Sequence, residues 1–188
     1  MAIETPHYEI LDKDGHIEHR KYDGYITASV QVKADNYKSA GSMAFSVLAD
    51  YIFGNNTKNS KIAMTAPVIS QKPATSEKIA MTAPVATAKL DDQKYVISFT
   101  MPASYTLENL PKPNNENVII KTVPAHEVVA SGFTGYTSEG DIEKKSNELR
   151  EWANNKQINI ASQPTVLRYD PPWKPGFLRK NEVCFSVV

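Results

Sequence analysis

The N-terminal pattern of hydrophobic and polar residues alternates with the period of a β-strand. It predicts strands over residues 8–11, 17–22 and 25–32, and the last is the clearest because β-branched residues alternate along it. Between the first two, Asp14-Gly15 predicts a two-residue hairpin turn. The chain therefore opens with antiparallel strands.

Two segments have the three- and four-residue spacing of an amphipathic helix. The first is predicted to be capped by Asp35 and to end at Gly54, and the second to start at Ser138 with Asp141 completing a capping box. Their apolar faces are predicted to be Tyr37, Ala40, Ala44, Val47, Leu48 and Tyr51 in the first helix, and Ile142, Leu149, Trp152 and Ala153 in the second.

The remaining apolar runs are too short or too rich in proline for helices. Residues 61–70 and 78–87 are predicted to be extended, since each has an interior proline. Strands are predicted over 95–101, 118–123, 127–133, 165–169 and 182–188. The order strands–helix–strands occurs twice, which indicates a single pseudo-twofold α+β domain with antiparallel strands, its halves at about residues 7–101 and 118–188.

Composition narrows the class of protein. The 188 residues fit one domain, and 21 basic against 21 acidic residues show no excess that would favour nucleic-acid binding. No apolar stretch is long enough to span a membrane, and the N-terminus lacks the pattern of a signal peptide. The lone Cys184 allows no intrachain disulfide and indicates a reducing, cytoplasmic environment. The oligomeric state is left open.

The octapeptide KIAMTAPV occurs twice, at residues 61–68 and 78–85. A polar segment with a proline separates the copies, so they either pair as two arms of a hairpin or one copy is displaced from the sheet. Met64 and Met81 are polarizable side chains that suit either irregular gaps in a core or the surface of a flat ring ligand.

Several motifs, taken in order, resemble the SOUL/haem-binding protein family. KIAMTAPV resembles its signature strand, and the motifs Tyr8-Glu9-Ile10, Arg20-Lys21-Tyr22, Gly54-Asn55-Asn56, FTMP at residues 99–102, and RYDPP at 168–172 with FLRKNEV at 177–183 resemble further segments. The resemblance covers nearly the whole chain. It implies a distorted antiparallel eight-stranded β-barrel with two flanking helices and two similar halves. It also implies reversible, non-covalent binding of haem or another tetrapyrrole in an apolar surface cleft, as a carrier, buffer or sensor.

The resemblance also implies which residues contact the ligand. The strand with Met64, Thr65 and Pro67 would lie near the pocket, with Met81 as its counterpart in the second copy. A flat ring with carboxylates is suited by apolar side chains below it and cations at its edge. The cations implied by the resemblance are Lys61, Arg179 and Lys180.

An axial ligand to the haem iron is predicted only at His19. Some family members carry His where this chain has Lys21, and His19 faces the same way two residues earlier. The alternative is that His19 is an ordinary solvated strand residue. The other histidines show no metal-ligand spacing, so no separate metal site is predicted.

Two other functions stay open at the level of sequence. An enzyme would use Glu108, Glu116 or Glu182 as acid or base, but no catalytic motif is present, so a non-enzymatic protein is the expectation. A protein-interaction module would use the Pro-rich loop around Trp173 or the second helix.

Overall fold

The computed structural model describes residues 3–58, 76–91, 93–171 and 173–188. Its elements in chain order are β1 (Tyr8–Asp14), β2 (Ile17–Tyr22), β3 (Tyr25–Lys33), α1 (Tyr37–Phe53), β4 (Asn56–Thr57), β5 (Val85–Asp91), β6 (Lys94–Thr100), β7 (Lys112–Pro113), β8 (Ile119–Val123), β9 (His126–Thr134), α2 (Glu139–Asn155), β10 (Thr165–Arg168), a 3₁₀ turn (Gly176–Leu178) and β11 (Lys180–Ser186).

One curled antiparallel sheet of nine strands organises the described chain, in the order β1-β2-β9-β11-β10-β5-β6-β3-β8. The predicted α+β class, the antiparallel strands and the two helices are confirmed. The predicted count of eight strands is one too low. Among the described residues β1 and β8 each pair with a single strand, so the sheet forms an open half-barrel. A separate two-stranded ladder joins β4 to β7.

The first hairpin turns one residue later than predicted. Asp14 pairs with Ile17, which leaves Gly15 and His16 as the loop. Gly15 has a φ of +57°, a conformation that costs glycine little because it lacks a Cβ atom.

Helix α1 is capped by Asn36 and not by the predicted Asp35. The Asn36 Oδ1 atom accepts the Ser39 N–H at 2.8 Å. The extended backbone of Asn36 directs this side-chain oxygen at the first turn of the helix. The predicted end at Gly54 is confirmed by its φ of +127°. The predicted apolar face is buried except at Val47, which is half-buried.

Helix α2 begins as the sequence predicts. Ser138 accepts the Asp141 N–H, and Asp141 accepts the Ser138 N–H, which completes the capping box. All four predicted apolar positions are buried. Both helices have 17 residues and each follows a nine-residue strand, β3 or β9. The boundaries of the two halves, 7–101 and 118–188, stay a prediction.

Both helices cover the same side of the sheet, and the main core lies beneath them. Helix α1 packs on β3, β5 and β6, whereas α2 packs on β9 and β11. No described helix has the length and apolar character needed to cross a bilayer. The opposite side of the sheet is left free to carry a site.

Candidate functional site

The strands divide their side chains between the helix-covered face and the opposite face. In β11, Val183 and Phe185 belong to the core under the helices, whereas Cys184 packs with Tyr22 and Leu167 on the other side. This other side carries an open cavity of about 420 Å³, which we call the tyrosine cleft. It is lined by Thr5, Pro6, Tyr8, Tyr22, Pro84, Gly132, Phe133, Thr134, Tyr169, Lys180, Asn181 and Glu182.

A buried ion-pair network lies beneath the tyrosine cleft. The Arg20 guanidinium donates through Nη1 and Nη2 to the two oxygens of Glu182 at 2.8 and 2.7 Å, and through Nε to Glu18 at 2.7 Å. Lys13 donates to Glu18 at 2.9 Å, so two cations balance two carboxylates. Burial alone would lower the pKa of Arg20, but the hydrogen bonds and charge of Glu182 outweigh it and raise that pKa. The base of the cleft is therefore charge-compensated.

Tyrosine side chains surround this network. The Tyr169 hydroxyl donates to Glu182 Oε2 at 2.6 Å, and the Tyr8 ring lies 4.5 Å from the Arg20 guanidinium carbon. Burial is the main cause that raises the pKa of Tyr22 and of Tyr169 above the ordinary tyrosine value. Both phenols are consequently neutral at physiological pH and present polarizable faces.

Of the two C-terminal cations predicted to contact a ligand, one lines the tyrosine cleft. Lys180 is exposed at its edge, and its ammonium group makes no ion pair with the described residues. Arg179 points elsewhere, because its Nε donates to the Lys174 carbonyl at 2.8 Å. Arg179 ends the 3₁₀ turn and Lys180 begins β11, so the structure directs differently two side chains that the resemblance groups together.

A second cavity of about 490 Å³ lies beside the tyrosine cleft. Its apolar wall includes Tyr25, Met101, Tyr105 and Leu107, and His7 lies at the same cavity. Burial raises the pKa of Tyr25 to about 12, so this ring too is neutral.

A short N-terminal segment separates the two cavities. Thr5 and Pro6 line both of them, and we call residues 4–7 the N-terminal strap. The Glu4 carbonyl accepts the Ala83 N–H at 2.9 Å, and its carboxylate accepts the Ala103 N–H at 2.7 Å. These bonds fix the Glu4 end of the strap, and at the other end the His7 carbonyl accepts the Asp23 N–H at 3.2 Å.

The second copy of KIAMTAPV runs beside the strap and contributes to both cavities. Thr82 lines the second cavity and Pro84 the tyrosine cleft, while Ile79 is buried in the core. Met81 is 38% exposed and lines neither cavity. Regular strand structure starts only at Val85, since Thr82 makes a single bridge to Glu4.

The first copy lies outside the described residues. It contains four residues that the resemblance places near a ligand, namely Lys61, Met64, Thr65 and Pro67. The predicted pairing of the two copies also lies outside the described residues.

His19 faces away from the tyrosine cleft. It alternates with Arg20 along β2, and its Nε2 lies 2.9 Å from Glu127 Oε2. The structure therefore does not bring His19 together with Lys180. Among the described residues no group of three or more His, Cys, Asp or Glu side chains is arranged to hold a metal ion.

The candidate acids and the lone thiol occupy different environments. Glu108 and Glu116 are exposed and line neither cavity. Both oxygens of Glu182 accept hydrogen bonds from Arg20, so its role here is to neutralise a buried cation. Burial raises the pKa of the Cys184 thiol to about 12, which leaves it protonated and unreactive.

Sequence reasoning missed the residues that build the cleft. The sequence indicates Arg20, Tyr22 and Tyr8 only as members of motifs that resemble the family. A signal was available in β2, where Glu18, Arg20 and Tyr22 recur at every second position, as side chains on one face of a strand do. What the pattern lacks is Glu182, which lies 162 residues from Arg20 along the chain.

Comparisons with solved structures support the fold. The crystal structure of the EcmrR C-terminal domain superposes with a TM-score of 0.64 at 13% identity, covering 96% of this chain and 98% of that one. A crystal structure of a hydrolase from Listeria innocua superposes with a TM-score of 0.57 at 11% identity, covering 95% and 94%. At these identities the likeness concerns the fold alone.

Comparisons of sequence identify the family. Heme-binding protein 1 of Xenopus tropicalis is 27% identical over 176 residues, covering 93% of this chain and 85% of that protein. Heme-binding protein 2 of Homo sapiens is 28% identical over 174 residues, covering 90% and 72%. The family model described as SOUL heme-binding protein matches residues 3–76 and 69–186. The chain therefore belongs to the SOUL heme-binding protein family.

Proposed function

We propose that this chain binds haem or another tetrapyrrole in the tyrosine cleft and releases it again, as a carrier or buffer. Family membership supports the ligand class. The observation that supports the place is a cleft of about 420 Å³ with aromatic walls and a lysine at its edge. Cavities of roughly 300–1,000 Å³ with a few convergent polar groups are typical ligand sites.

The side chains of the cleft suit a flat ring that carries carboxylates. The rings of Tyr8, Tyr22 and Phe133 offer apolar surface, and the compensated Arg20–Glu182 pair presents no net charge beneath it. The Lys180 ammonium is available for a peripheral carboxylate. The open shape of the cleft favours exchange of the ligand over permanent retention.

The cleft is less suited to holding the iron. Among the described residues that line it there is no histidine, cysteine or methionine, which are the usual axial ligands of haem. Tyrosine binds haem iron as the phenolate, and the raised pKa values of Tyr22 and Tyr169 oppose that form. We therefore propose that binding acts through the ring and its carboxylates.

Titration with haemin and with iron-free protoporphyrin tests this function. Both ligands are expected to saturate the protein with comparable dissociation constants, followed by the Soret band and by porphyrin fluorescence. Lys180→Ala is expected to weaken both about three- to fivefold, the size of an exposed ion pair. Lys21→Ala is the matched control, because this exposed lysine lies on the other face of β2. Absence of saturable binding, or binding that requires iron, contradicts the proposal.

A further inference from the structure

Four large apolar side chains are exposed together beside the tyrosine cleft. Trp173 is 78% exposed, Tyr136 and Phe177 are each 67% exposed, and Leu178 is 51% exposed. We call these four residues the aromatic rim. Of the described aromatic residues elsewhere in the chain, only Phe53, at 57%, is comparably exposed. Exposed apolar side chains that are clustered mark an interaction surface more often than scattered ones do.

The loops that carry the aromatic rim are fixed to each other and to the cleft wall. The Gly135 N–H donates to the Arg179 carbonyl at 2.9 Å, and the Asn181 side chain donates to the Gly135 carbonyl at 2.8 Å. The Tyr136 ring covers Gly176 so closely that a Cβ atom there would lie 2.2 Å from it. These contacts hold the loop of Tyr136 against the turn that carries Phe177 and Leu178.

The segment that carries three of the four rim residues, Trp173, Phe177 and Leu178, is more basic than the chain as a whole. Residues 169–181 contain Lys174, Arg179 and Lys180 against a single acid, Asp170, and residues 133–138 contain no charged side chain. The whole chain, in contrast, has equal numbers of basic and acidic residues. Asp170 is engaged by Lys174 at 2.8 Å. This local excess of positive charge is complementary to an anionic surface.

We propose that the aromatic rim docks on the surface of anionic lipid membranes. Tryptophan and tyrosine prefer the region between lipid headgroups and acyl chains, where the ring is partly desolvated and the polar group stays hydrated. Lysine and arginine near the surface add attraction to anionic headgroups. A protein partner that inserts a side chain or a helix into this surface is less favoured, because none of the four side chains lines either of the two cavities.

Docking in this way would turn the mouth of the tyrosine cleft toward the bilayer. Lys180 belongs to both surfaces, since it lines the cleft and contributes to the basic charge of the rim. An apolar ligand dissolved in the membrane would then meet the cleft without crossing bulk water. The membrane contact itself does not depend on the haem proposal and is measured without haem.

The full chain is tested by co-sedimentation with vesicles of phosphatidylcholine containing phosphatidylserine, and with vesicles of phosphatidylcholine alone. Binding is expected to be strong on the first at low salt, weaker on the second, and reduced as salt rises. Trp173→Ala and Phe177→Ala are each expected to lower the bound fraction several-fold. Phe53→Ala is the matched control and is expected to change nothing, because this exposed aromatic residue lies at the end of α1.

Intrinsic fluorescence gives a second readout with the same protein. The chain has two tryptophans, Trp152 at 8% exposure and Trp173 at 78%, so a vesicle-induced blue shift reports on Trp173 and should vanish in Trp173→Phe. Thermal unfolding of each variant verifies that the fold is retained. Failure of the native protein to sediment with anionic vesicles overturns the proposal. Equal loss in Phe53→Ala overturns it as well, as does rim-dependent dimerisation without lipid in analytical ultracentrifugation.

Discussion

Arg20 is the residue on which the cleft face depends most. Its side chain is 5% exposed and bridges two carboxylates that are 13% and 14% exposed, on β2 and β11. Charges taken this far out of water are tolerated only when each is paired, because an uncompensated buried charge loses its hydration without replacement. The network therefore links the stability of the fold to the shape of the site.

Replacing Arg20 by methionine leaves the buried Glu182 without its cation and leaves Glu18 paired only with Lys13. We expect this change to lower the free energy of unfolding by about 3–5 kcal/mol, as for other broken buried ion pairs. Chemical denaturation measures the loss. Lys94→Met is the matched control, because it removes a strand lysine whose pair with Asp91 is about half exposed, and exposed pairs contribute less than about 1 kcal/mol. Equal effects of the two changes would refute this role of Arg20.

Cys184 offers a chemical test of packing on the same face. Burial raises the pKa of its thiol to about 12. Almost no thiolate, which is the reactive species, therefore forms at pH 8. The folded protein should thus be inert to a disulfide reagent, and it should release one equivalent of thiol when unfolded by denaturant. Rapid labelling of the folded protein would contradict the burial of Cys184.

At the scale of elements, most of the fold was predictable from local patterns. The strand β3, the helix α2 and the end of α1 followed from period and from capping residues, which act over a few neighbouring positions. The extended segment 78–84 was different. Its backbone is fixed by Glu4 and Ile52, residues far away in sequence, so no local pattern could tell that regular strand pairing starts only at Val85.

The start of α1 separates two neighbouring residues that the sequence alone does not distinguish. Asn36→Ala removes the acceptor of the Ser39 N–H, and we expect a loss of about 1 kcal/mol in the free energy of unfolding. Asp35→Ala should cost little, because the cap hydrogen bonds are made by Asn36. Urea denaturation of both variants compares them directly. A larger loss of stability in Asp35→Ala than in Asn36→Ala would show that Asp35 caps the helix, as the sequence predicts.

At the scale of the whole molecule, the site was much less predictable than the fold. The tyrosine cleft combines residues from the N-terminal strap, β1, β2, β9 and β11, and its ion pair joins the two ends of the chain. A sequence pattern records which residues share a strand face but not which strands become neighbours. Lys180, which the family resemblance implies as a ligand contact, does line the cleft, and its contact with a ligand stays a prediction.

The acidic groups of the whole molecule set its response to low pH. For Glu18, burial alone would raise the pKa, but hydrogen bonds from Lys13 and Arg20 outweigh it and lower that pKa below 4.5. The hydrogen bond from Lys174 lowers the pKa of Asp170 below 3.8. Carboxyl groups with a lowered pKa bind protons more weakly in the folded than in the unfolded state, so they stabilise the fold above their ordinary pKa values.

We therefore expect the free energy of unfolding to fall as the pH drops through about 4 toward the lower pKa values of the folded state. Urea denaturation at a series of pH values measures this slope. Glu18→Gln should be less stable than the native chain at neutral pH and should lose less stability on acidification. An identical pH dependence in both proteins would show that Glu18 does not contribute.

The N-terminal strap imposes a relation between the two cavities. Thr5 and Pro6 face both, so they act as a partition with a different volume on each side. A displacement that widens one compartment narrows the other. A ligand that displaces Thr5 and Pro6 on binding in one cavity therefore makes binding in the other cavity less favourable. By thermodynamic linkage, the second ligand weakens the binding of the first by the same free energy. Two ligands that never contact each other would then compete through the position of the N-terminal strap.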